Sequence, residues 1–372
     1  MSEGQAGAGT PRVWLVLAEK QGDNSQVEAL ASALDWPVER RHVRMCPPWD
    51  VEKPRVAATL EHLDLEASDA LEPPWPDLIL TSGRRTSMVA LWIKQQSGGR
   101  TCIALIGKPS GLFDEFDLVI GSAEVQLPPL PNVLKIDLPL LRVDGERVAR
   151  AAADWSDRLA GMKRPLAAFL IGGPTGTFVF NQGAVRRLLS LAGEVAAQGG
   201  TPYASTSRRT PDWVCDELEA DWPADGRFFR WTPDAEDNPY LALLGAADGF
   251  VVTGDSVSML IEVVRLGRPL SIFVLPSGAI GQIDMLRRSF TRWLFAPEGG
   301  GIGSRVRRRF GVAAFRAGLI VQTRDFAAMY RRMIERGWAV RDELPLGSET
   351  APVSDDLAVA ARRVQELVPG PG

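Results

Sequence analysis

Strand and helix signals alternate along this chain and then begin again, and that repetition limits the fold more than any other feature. In the first half, apolar runs such as residues 13–18 and 77–81 are each followed by a polar turn and a helical stretch. After a helix predicted at residues 144–162, the pattern restarts with a strand at residues 166–171. Apolar strands separated by helices are typical of parallel sheets covered on both faces. The sequence therefore predicts an α/β protein of two doubly wound, Rossmann-like domains that face each other across a ligand-binding cleft.

The restart also sets the predicted domain boundary. The N-terminal domain is expected to span residues 12–162, including the connecting helix, and the C-terminal domain residues 163–372, including a helix predicted at 355–368. A chain of 372 residues is long for one core and sufficient for two. Residues 1–11 lack the layout of a signal peptide, and no apolar run reaches the length of a membrane span. A cytoplasmic location is therefore expected.

Composition excludes several classes of function. The formal charge of -4 gives no global attraction to nucleic acid, so local groups must hold any anionic ligand. The three cysteines are scattered and have no metal-ligand spacing. The two histidines, His42 and His62, lie in the first half, outside the polar loops that follow strands. A Ser-His-Asp hydrolase and a histidine-bound zinc are therefore disfavoured, and we expect neither a metal nor a cofactor.

Ligands of open α/β sheets bind beyond the carboxyl ends of the strands, so the loops after strands are the candidate sites. In the first half, residues 19–26 open a helix, and Asp23 there is a candidate general base. The alternative is that Asp23 or Asn24 only caps the helix. Arginines at a helix start and a lysine at a strand end suit phosphate. The candidate binding residues of this half are Gly22, Asn24, Gln26, Ser82, Gly83, Arg84 and Lys108.

Three loops of the second half are candidate sites for the same reason, because each of them follows a strand. Residues 172–177 are rich in glycine, which allows close approach of a ligand, but they match neither the P-loop nor the dinucleotide fingerprint. Residues 253–259 join a strand to a helix, and Glu262 shares a helix face with Ser258. The alternatives are a plain turn for the glycines, a capping role for Ser256 and a surface position for Glu262. The candidates here are Gly173, Thr175, Ser205, Ser207, Arg208, Gly254, Asp255, Ser256, Ser258 and Glu262.

A basic amphipathic segment follows. Residues 285–295 interleave Leu, Phe and Trp with three arginines, and residues 305–309 add more arginine. Such a helix can lie on an anionic membrane surface, here the inner face of the membrane. The alternative is a packed helix with a solvated basic face.

Five of these loops together resemble the mitochondrial-fission "elongated mitochondria" family. The matching segments, within residues 13–275, are 22–26, 82–84, 107–109, 172–174 and 253–259. The plant member of that family is implicated in recruiting a dynamin-related GTPase to mitochondria. Its bacterial relatives carry the label nucleoside-diphosphate-sugar epimerase-like. The resemblance thus implies either a protein partner or a nucleotide-sugar ligand.

Segment 253–259 is also similar to the second domain of GT-B glycosyltransferases. In those enzymes a small-residue loop and a helix start bind the nucleotide-sugar diphosphate, and an acidic residue holds the ribose. The resemblance implies these roles for Ser256, Ser258 and Glu262, with Asp23 facing the acceptor. Unlike the non-hydrolysing sugar epimerases, this chain has no histidine in its second half. The expected function is transfer of a sugar from a nucleotide-sugar donor; the alternatives are a non-catalytic adaptor and an epimerase.

Overall fold

The computed structural model describes residues 10–47, 49, 52, 55–109, 111–295, 302–316, 319–320, 324–347 and 349–368. The described chain divides into two compact units. Unit 1 contains the residues up to Leu141, those within Arg287–Asp325 and those from Asp355 onward, whereas unit 2 contains Arg142–Leu286 and Phe326–Ser354. Most of the predicted polar N-terminal segment, residues 1–9, lies outside the described residues.

The secondary structure of the two units consists of strands and helices in regular alternation. The strands are β1 (Val13–Leu17), β2 (Val38–His42), β3 (Arg44–Met45), β4 (Leu63–Asp64), β5 (Leu78–Ser82), β6 (Cys102–Ile106), β7 (Leu118–Gly121), β8 (Val133–Lys135), β9 (Leu166–Ile171), β10 (Thr201–Thr206), β11 (Arg227–Phe229), β12 (Gly249–Thr253), β13 (Leu270–Phe273) and β14 (Val340–Arg341). The helices are α1 (Gln21–Leu34), α2 (Arg84–Gln96), α3 (Gly145–Asp154), α4 (Ser156–Leu159), α5 (Gln182–Ala197), α6 (Asp212–Asp221), α7 (Tyr240–Ala246), α8 (Val257–Arg265), α9 (Ala279–Phe295), α10 (Ile302–Arg316), α11 (Phe326–Glu335) and α12 (Asp356–Gln365).

Unit 1 is built on a six-stranded sheet in the order β2-β1-β5-β6-β7-β8, and all its strands are parallel. Strands β1 and β5 are buried along their whole length, because helices cover both faces of the sheet. Helices α1 and α12 pack together over one face, with Leu30 and Val364 in the same core cluster. The other face carries a second cluster that includes Trp14, Ile79 and Ile93 of α2.

Unit 2 repeats this plan with a six-stranded parallel sheet in the order β11-β10-β9-β12-β13-β14. Its central strand β9 is buried at every position. Helices α3 and α7 cross closely at Gly245, where an added Cβ would lie 2.8 Å from the Cβ of Ala152. The strand order reverses between β9 and β12, so the loops after these strands meet at the carboxyl edge of the sheet.

The predicted α/β class with two doubly wound, Rossmann-like units is confirmed, but the division along the chain differs from the predicted one. The helix predicted at residues 144–162 is two helices, α3 and α4, and both belong to unit 2, where α3 packs on α7. The C-terminal helix α12 belongs to unit 1, where it packs on α1. Strand-helix alternation locates the sheets but does not tell which sheet a flanking helix will cover.

Candidate functional site

The carboxyl edge of the unit 1 sheet holds a cavity of about 210 Å³. Strands β5, β6 and β7 end there and helix α1 begins there, because parallel strands bring their following loops to one edge. Five of the residues predicted from the sequence line this cavity: Asp23, Gln26, Ser82, Gly83 and Lys108. Three loops of the first half therefore contribute candidate residues to one cavity.

The other candidates of the first half have local roles. Asn24 ties the start of α1 to the end of β1, since its Nδ2 donates to the Ala18 carbonyl at 2.6 Å and its Oδ1 accepts from the Ala18 N–H. Helix α1 begins at Gln21, so Asp23 lies in its first turn and is not the capping residue. The cavity lining includes neither Gly22 nor Arg84, the first residue of α2.

The same cavity contains a carboxyl group that the sequence reasoning missed. Glu124 is only 4% exposed, and its Oε1 accepts a hydrogen bond from the Ser122 hydroxyl at 2.8 Å. Its buried Oε2 has no hydrogen-bond partner within the described part of the chain. Burial raises the pKa of the Glu124 carboxyl, against smaller opposing effects of its own backbone N–H, the Ser122 hydroxyl and the charge of Arg324. A signal was present, because the apolar strand β7 ends at a small residue, Gly121, and is followed by another, Ser122, as in the other candidate loops.

In unit 2, the three predicted loops meet around the carboxylate of Asp255. Its Oδ2 accepts from the Gly173 N–H at 2.9 Å and from the Arg209 guanidinium at 2.9 Å. Asp255 is 5% exposed, and burial raises the pKa of its carboxyl despite these donors. This carboxylate therefore holds the loops after β9, β10 and β12 together.

The glycines of these loops allow the close packing. A Cβ added at Gly173 would overlap the carbonyl of Arg209, and one added at Gly254 would lie 2.6 Å from the Tyr330 hydroxyl. That hydroxyl donates to the Gly254 carbonyl, also at 2.6 Å. Here the two glycines admit neighbouring protein groups, which is a different use from the approach of a ligand that the sequence suggested.

The remaining polar candidates of unit 2 differ in exposure. Ser205 is buried in β10, and the Ser207 hydroxyl lies 3.1 Å from the hydroxyl of Thr210. Arg208 and Ser258 are exposed. The hydroxyl of Thr175 is buried and has no hydrogen-bond partner among the described residues.

Helix α8 begins without a side-chain cap. Ser256 occupies the N-cap position, but its hydroxyl donates to Asp255 Oδ2 at 3.1 Å and makes no capping hydrogen bond. The first N–H groups of a helix have no intrahelical acceptor, and the helix dipole places partial positive charge there. An uncapped N-terminus of this kind suits a phosphate.

Glu262, further along α8, lines a cavity of about 540 Å³ that lies wholly within unit 2. The Tyr240 hydroxyl donates to Glu262 Oε2, so the carboxylate has an internal partner as well as a cavity face. Burial raises the pKa of the Glu262 carboxyl, and burial together with the nearby carboxylate holds the pKa of Tyr240 well above its ordinary value. Arg142 and Arg147 line the same cavity, and among the described residues neither guanidinium has a hydrogen-bond or ion-pair partner.

Comparison with known proteins identifies the family. The family described as Mitochondrial fission ELM1 matches residues 21–292. The chain belongs to this family. Relatives include Mitochondrial fission protein ELM1 of Arabidopsis thaliana, 25% identical over 55% of this chain and 53% of that protein. Another is the uncharacterized protein RP120 of Rickettsia prowazekii, 22% identical over 71% of this chain and 84% of that protein. The chain thus matches about half the length of its Arabidopsis relative.

The solved structures to which the chain is similar are distant from it in sequence. ADP-heptose LPS heptosyltransferase II of E. coli is 13% identical, with a TM-score of 0.40 over 70% of this chain and 84% of that one. UDP-GlcNAc 2-epimerase of Methanocaldococcus jannaschii is 9% identical, with a TM-score of 0.48 over 96% and 98%. UGT71G1 of Medicago truncatula, complexed with UDP-glucose, is 11% identical, with a TM-score of 0.43 over 96% and 98%.

Two other kinds of site are absent from the described residues. No helix in the described ranges combines the length and apolar character needed to cross a bilayer. The same residues contain no group of three or more histidine, cysteine or acidic side chains placed to hold a metal ion.

Proposed function

We propose that the chain binds a nucleotide sugar through unit 2 and transfers its sugar to an acceptor. The observation that carries this proposal is the unit 2 cavity, which is lined by a half-buried carboxylate and by two arginines with no hydrogen-bond or ion-pair partner among the described residues. Its volume of about 540 Å³ lies within the range of small-molecule sites. A nucleoside diphosphate carries both the hydroxyls that a carboxylate accepts from and the negative charge that guanidinium groups bind.

Each part of the ligand has a matching group on α8. The diphosphate is assigned to the uncapped N-terminus of the helix, near Ser256 and Ser258, where N–H groups and the helix dipole favour an anion. The ribose hydroxyls are assigned to Glu262. Transfer breaks the bond between the anomeric carbon and the diphosphate, and the electron pair leaves with the diphosphate. Helix dipole and arginine charge stabilise that leaving group, while Asp23 of unit 1 is the residue proposed from the sequence to act on the acceptor.

Calorimetric titration of the wild-type chain with UDP, ADP and their sugar conjugates tests the proposal. Saturable binding of at least one nucleotide is expected, together with a rise in Tm, because a ligand bound only by the native state stabilises it. Glu262→Gln should weaken that binding, whereas Glu349→Gln, which changes an exposed glutamate of the same unit, should not. Absence of binding by the wild type would refute the proposal and favour the adaptor function instead.

A second proposed activity is contact with an anionic membrane, and it rests on the exposed apolar side chains of α10 and of the part of α9 that belongs to unit 1. We name Phe290, Trp293, Ile302, Val306 and Phe310 the apolar stripe; each is at least 54% exposed. Phe290 and Trp293 stack with their ring centroids 5.9 Å apart. Helix α10 carries five arginines and no acidic residue, in a chain whose net charge is -4. Exposed aromatic side chains beside arginines are typical of helices that lie in the interface of an anionic bilayer.

The arginines of this region are not equivalent. Arg288, predicted to be part of a solvated basic face, is 7% exposed, and Arg292 pairs with Asp325 at 3.5 Å. Arg305 and Arg309 are exposed beside the apolar stripe. These two arginines and the stripe are therefore the groups assigned to the membrane contact.

Co-sedimentation with vesicles tests this contact. The wild type should pellet with phosphatidylglycerol-containing vesicles at low salt and be released at high salt, because screening weakens charge attraction. The double variant Phe290→Ser/Trp293→Ser should not pellet, whereas Trp213→Ser, at an exposed tryptophan of unit 2, should behave like the wild type. A wild type that never pellets would refute the membrane contact and leave the stripe as a surface for a protein partner.

A further inference from the structure

The unit 1 cavity contains a buried carboxyl group with one oxygen that lacks a hydrogen-bond partner. Glu124 is 4% exposed and lines the cavity. The Ser122 hydroxyl donates to its Oε1 at 2.8 Å, whereas its buried Oε2 has no partner in the described part of the chain. Native proteins rarely leave a buried polar atom unpaired. An unpaired atom on a residue of a cavity wall therefore indicates a ligand that makes the missing hydrogen bond.

The loop that carries Glu124 is held in place by two hydrogen bonds to Asp325. The Asp325 N–H donates to the Glu124 carbonyl at 2.8 Å, and the Gln126 amide donates to Asp325 Oδ2 at 2.6 Å. The residue before Asp325 is Arg324, which is exposed and also lines the cavity. The anchored segment therefore brings a cation to the same cavity as the buried carboxyl.

The groups of the cavity that suit an anion come from three separate segments. Arg324 has no hydrogen-bond or ion-pair partner among the described residues, and Lys108, which follows β6, is a second cation of the lining. Helix α2 begins after Gly83, another lining residue, and has no side-chain cap. The first N–H groups of a helix and its dipole favour an anion, and both lysine and arginine bind phosphate. Together these groups are typical of a phosphate site.

We propose that the unit 1 cavity is a binding site for a small phosphorylated alcohol, with the ligand hydroxyl at Glu124 and its phosphate at Lys108 and Arg324. The half-buried Asp23, in the first turn of α1, offers an acceptor for a further hydroxyl. Every lining residue belongs to unit 1. The inference therefore goes beyond the proposed function and uses neither the unit 2 cavity nor any step of the sugar transfer.

The state of Glu124 favours a hydroxyl over an ammonium group as its partner. Burial raises the pKa of the Glu124 carboxyl, which favours its neutral form. A hydroxyl both donates and accepts, so it can pair with this carboxyl in either protonation state. An ammonium group only donates and is bound best by a charged carboxylate. We therefore expect an alcohol to bind more tightly than the corresponding amine.

Calorimetric titration of the full chain with three phosphate monoesters tests the ligand class. Glycerol 3-phosphate has both groups, ethyl phosphate lacks the hydroxyls, and O-phosphoethanolamine has an ammonium group in place of a hydroxyl. Glycerol 3-phosphate should bind at least about 10-fold more tightly than either of the others, because only it supplies the hydroxyl hydrogen bond to Glu124. Phosphorylated alcohols also occur as lipid headgroups, so glycerophosphoglycerol is titrated alongside. Its tighter binding would support the site and assign it to a headgroup, whereas its weaker binding would support a free phosphate monoester.

Variants of the lining test where the ligand binds. Glu124→Met removes both carboxyl oxygens at similar side-chain length, so the preference for glycerol 3-phosphate over ethyl phosphate should disappear. Arg324→Gln should weaken binding of both compounds about 10-fold, because it removes a charge that contacts their shared phosphate. Glu115→Gln and Arg55→Gln, at exposed residues of unit 1 outside the cavity lining, are the matched controls. Glu262→Gln in unit 2 should also leave the affinity unchanged. Circular dichroism establishes that each variant folds, and the three-ligand comparison on the wild type needs no variant.

The outcomes separate this inference from the proposed function. Absence of glycerol 3-phosphate binding, or equally tight binding of ethyl phosphate, would overturn the phosphorylated alcohol. Tighter binding of O-phosphoethanolamine would also overturn it and assign an ammonium group to Glu124. Affinity unchanged in both Glu124→Met and Arg324→Gln, or lost in Glu262→Gln, would overturn the location in unit 1. The titrations contain no nucleotide, so their failure leaves the proposed nucleotide site untouched, and a failure of nucleotide binding leaves this site standing.

Discussion

The pair formed by Glu262 and Tyr240 allows stability and ligand binding to be separated in one set of variants. The Tyr240 hydroxyl donates to Glu262 Oε2, and Glu262 also lines the unit 2 cavity. Glu262→Ala removes both the proposed ribose acceptor and the partner of the tyrosine. Tyr240→Phe removes the same hydrogen bond but keeps the carboxylate. Any effect that the two variants share is therefore structural, and any effect confined to Glu262→Ala is due to the ligand.

The expected magnitudes follow from the contacts. A hydrogen bond to a charged group contributes about 1.5–3 kcal/mol, so loss of the ribose contact should raise the nucleotide Kd roughly 10- to 150-fold in Glu262→Ala. Tyr240→Phe should change the Kd less than about threefold, because the carboxylate remains. Both variants should lose about 1–3 kcal/mol of unfolding free energy, since each leaves one half of a partly buried hydrogen bond without its partner.

Isothermal titration with nucleoside diphosphates and urea unfolding give the two quantities. Nucleotide affinity lost equally in both variants would contradict a direct contact between Glu262 and the ribose, because it would mean that Glu262 acts only by holding Tyr240. Affinity retained in both would remove Glu262 from the site.

Two other positions give predictions of their own. Burial raises the folded-state pKa of Glu124, so its contribution to stability is present below the unfolded value of about 4.3 and is lost as pH rises through the folded value. Glu124→Gln should therefore raise Tm at pH 7.5 but not near pH 4, and thermal scans showing no pH-dependent difference would contradict this. Gly173→Ala should destabilise unit 2 by more than about 1 kcal/mol, because its Cβ overlaps the Arg209 carbonyl and the backbone must move. Chemical unfolding of this variant, compared with Gly176→Ala, whose Cβ would contact nothing within 4 Å, measures the difference, and equal stability of the two would contradict it.

The sheets could be read from the sequence because apolar runs such as Leu166–Ile171 are buried on both faces and leave a strong signal. The loops at their carboxyl ends followed from topology, and Asp23, Ser82 and Lys108 of these loops line one cavity. The placement of α3 and α12 depends on packing between elements far apart in the chain, and no local pattern encodes it.

The sequence pattern also did not predict which groups individual side chains contact. Asp255 and Glu262 both follow β12, yet Asp255 bonds to the Gly173 N–H while Glu262 faces a cavity. The sequence names both as candidates for the same site, and only the contacts show that Asp255 joins loops of the protein. Glu124 was missed because it lies in a loop. Its carboxyl is unusual because it is buried, and burial of a single loop residue leaves no periodic pattern in the sequence.

Amide hydrogen exchange tests nucleotide binding at the carboxyl edge of unit 2. Exchange of the wild-type chain is measured by mass spectrometry with and without a saturating nucleoside diphosphate. Bound ligand should slow exchange in peptides that cover residues 253–262 and 238–244, because it satisfies the N–H groups at the start of α8 and restrains Tyr240. Exchange that is unchanged throughout, or slowed only in unit 1, would contradict the assignment of the nucleotide site.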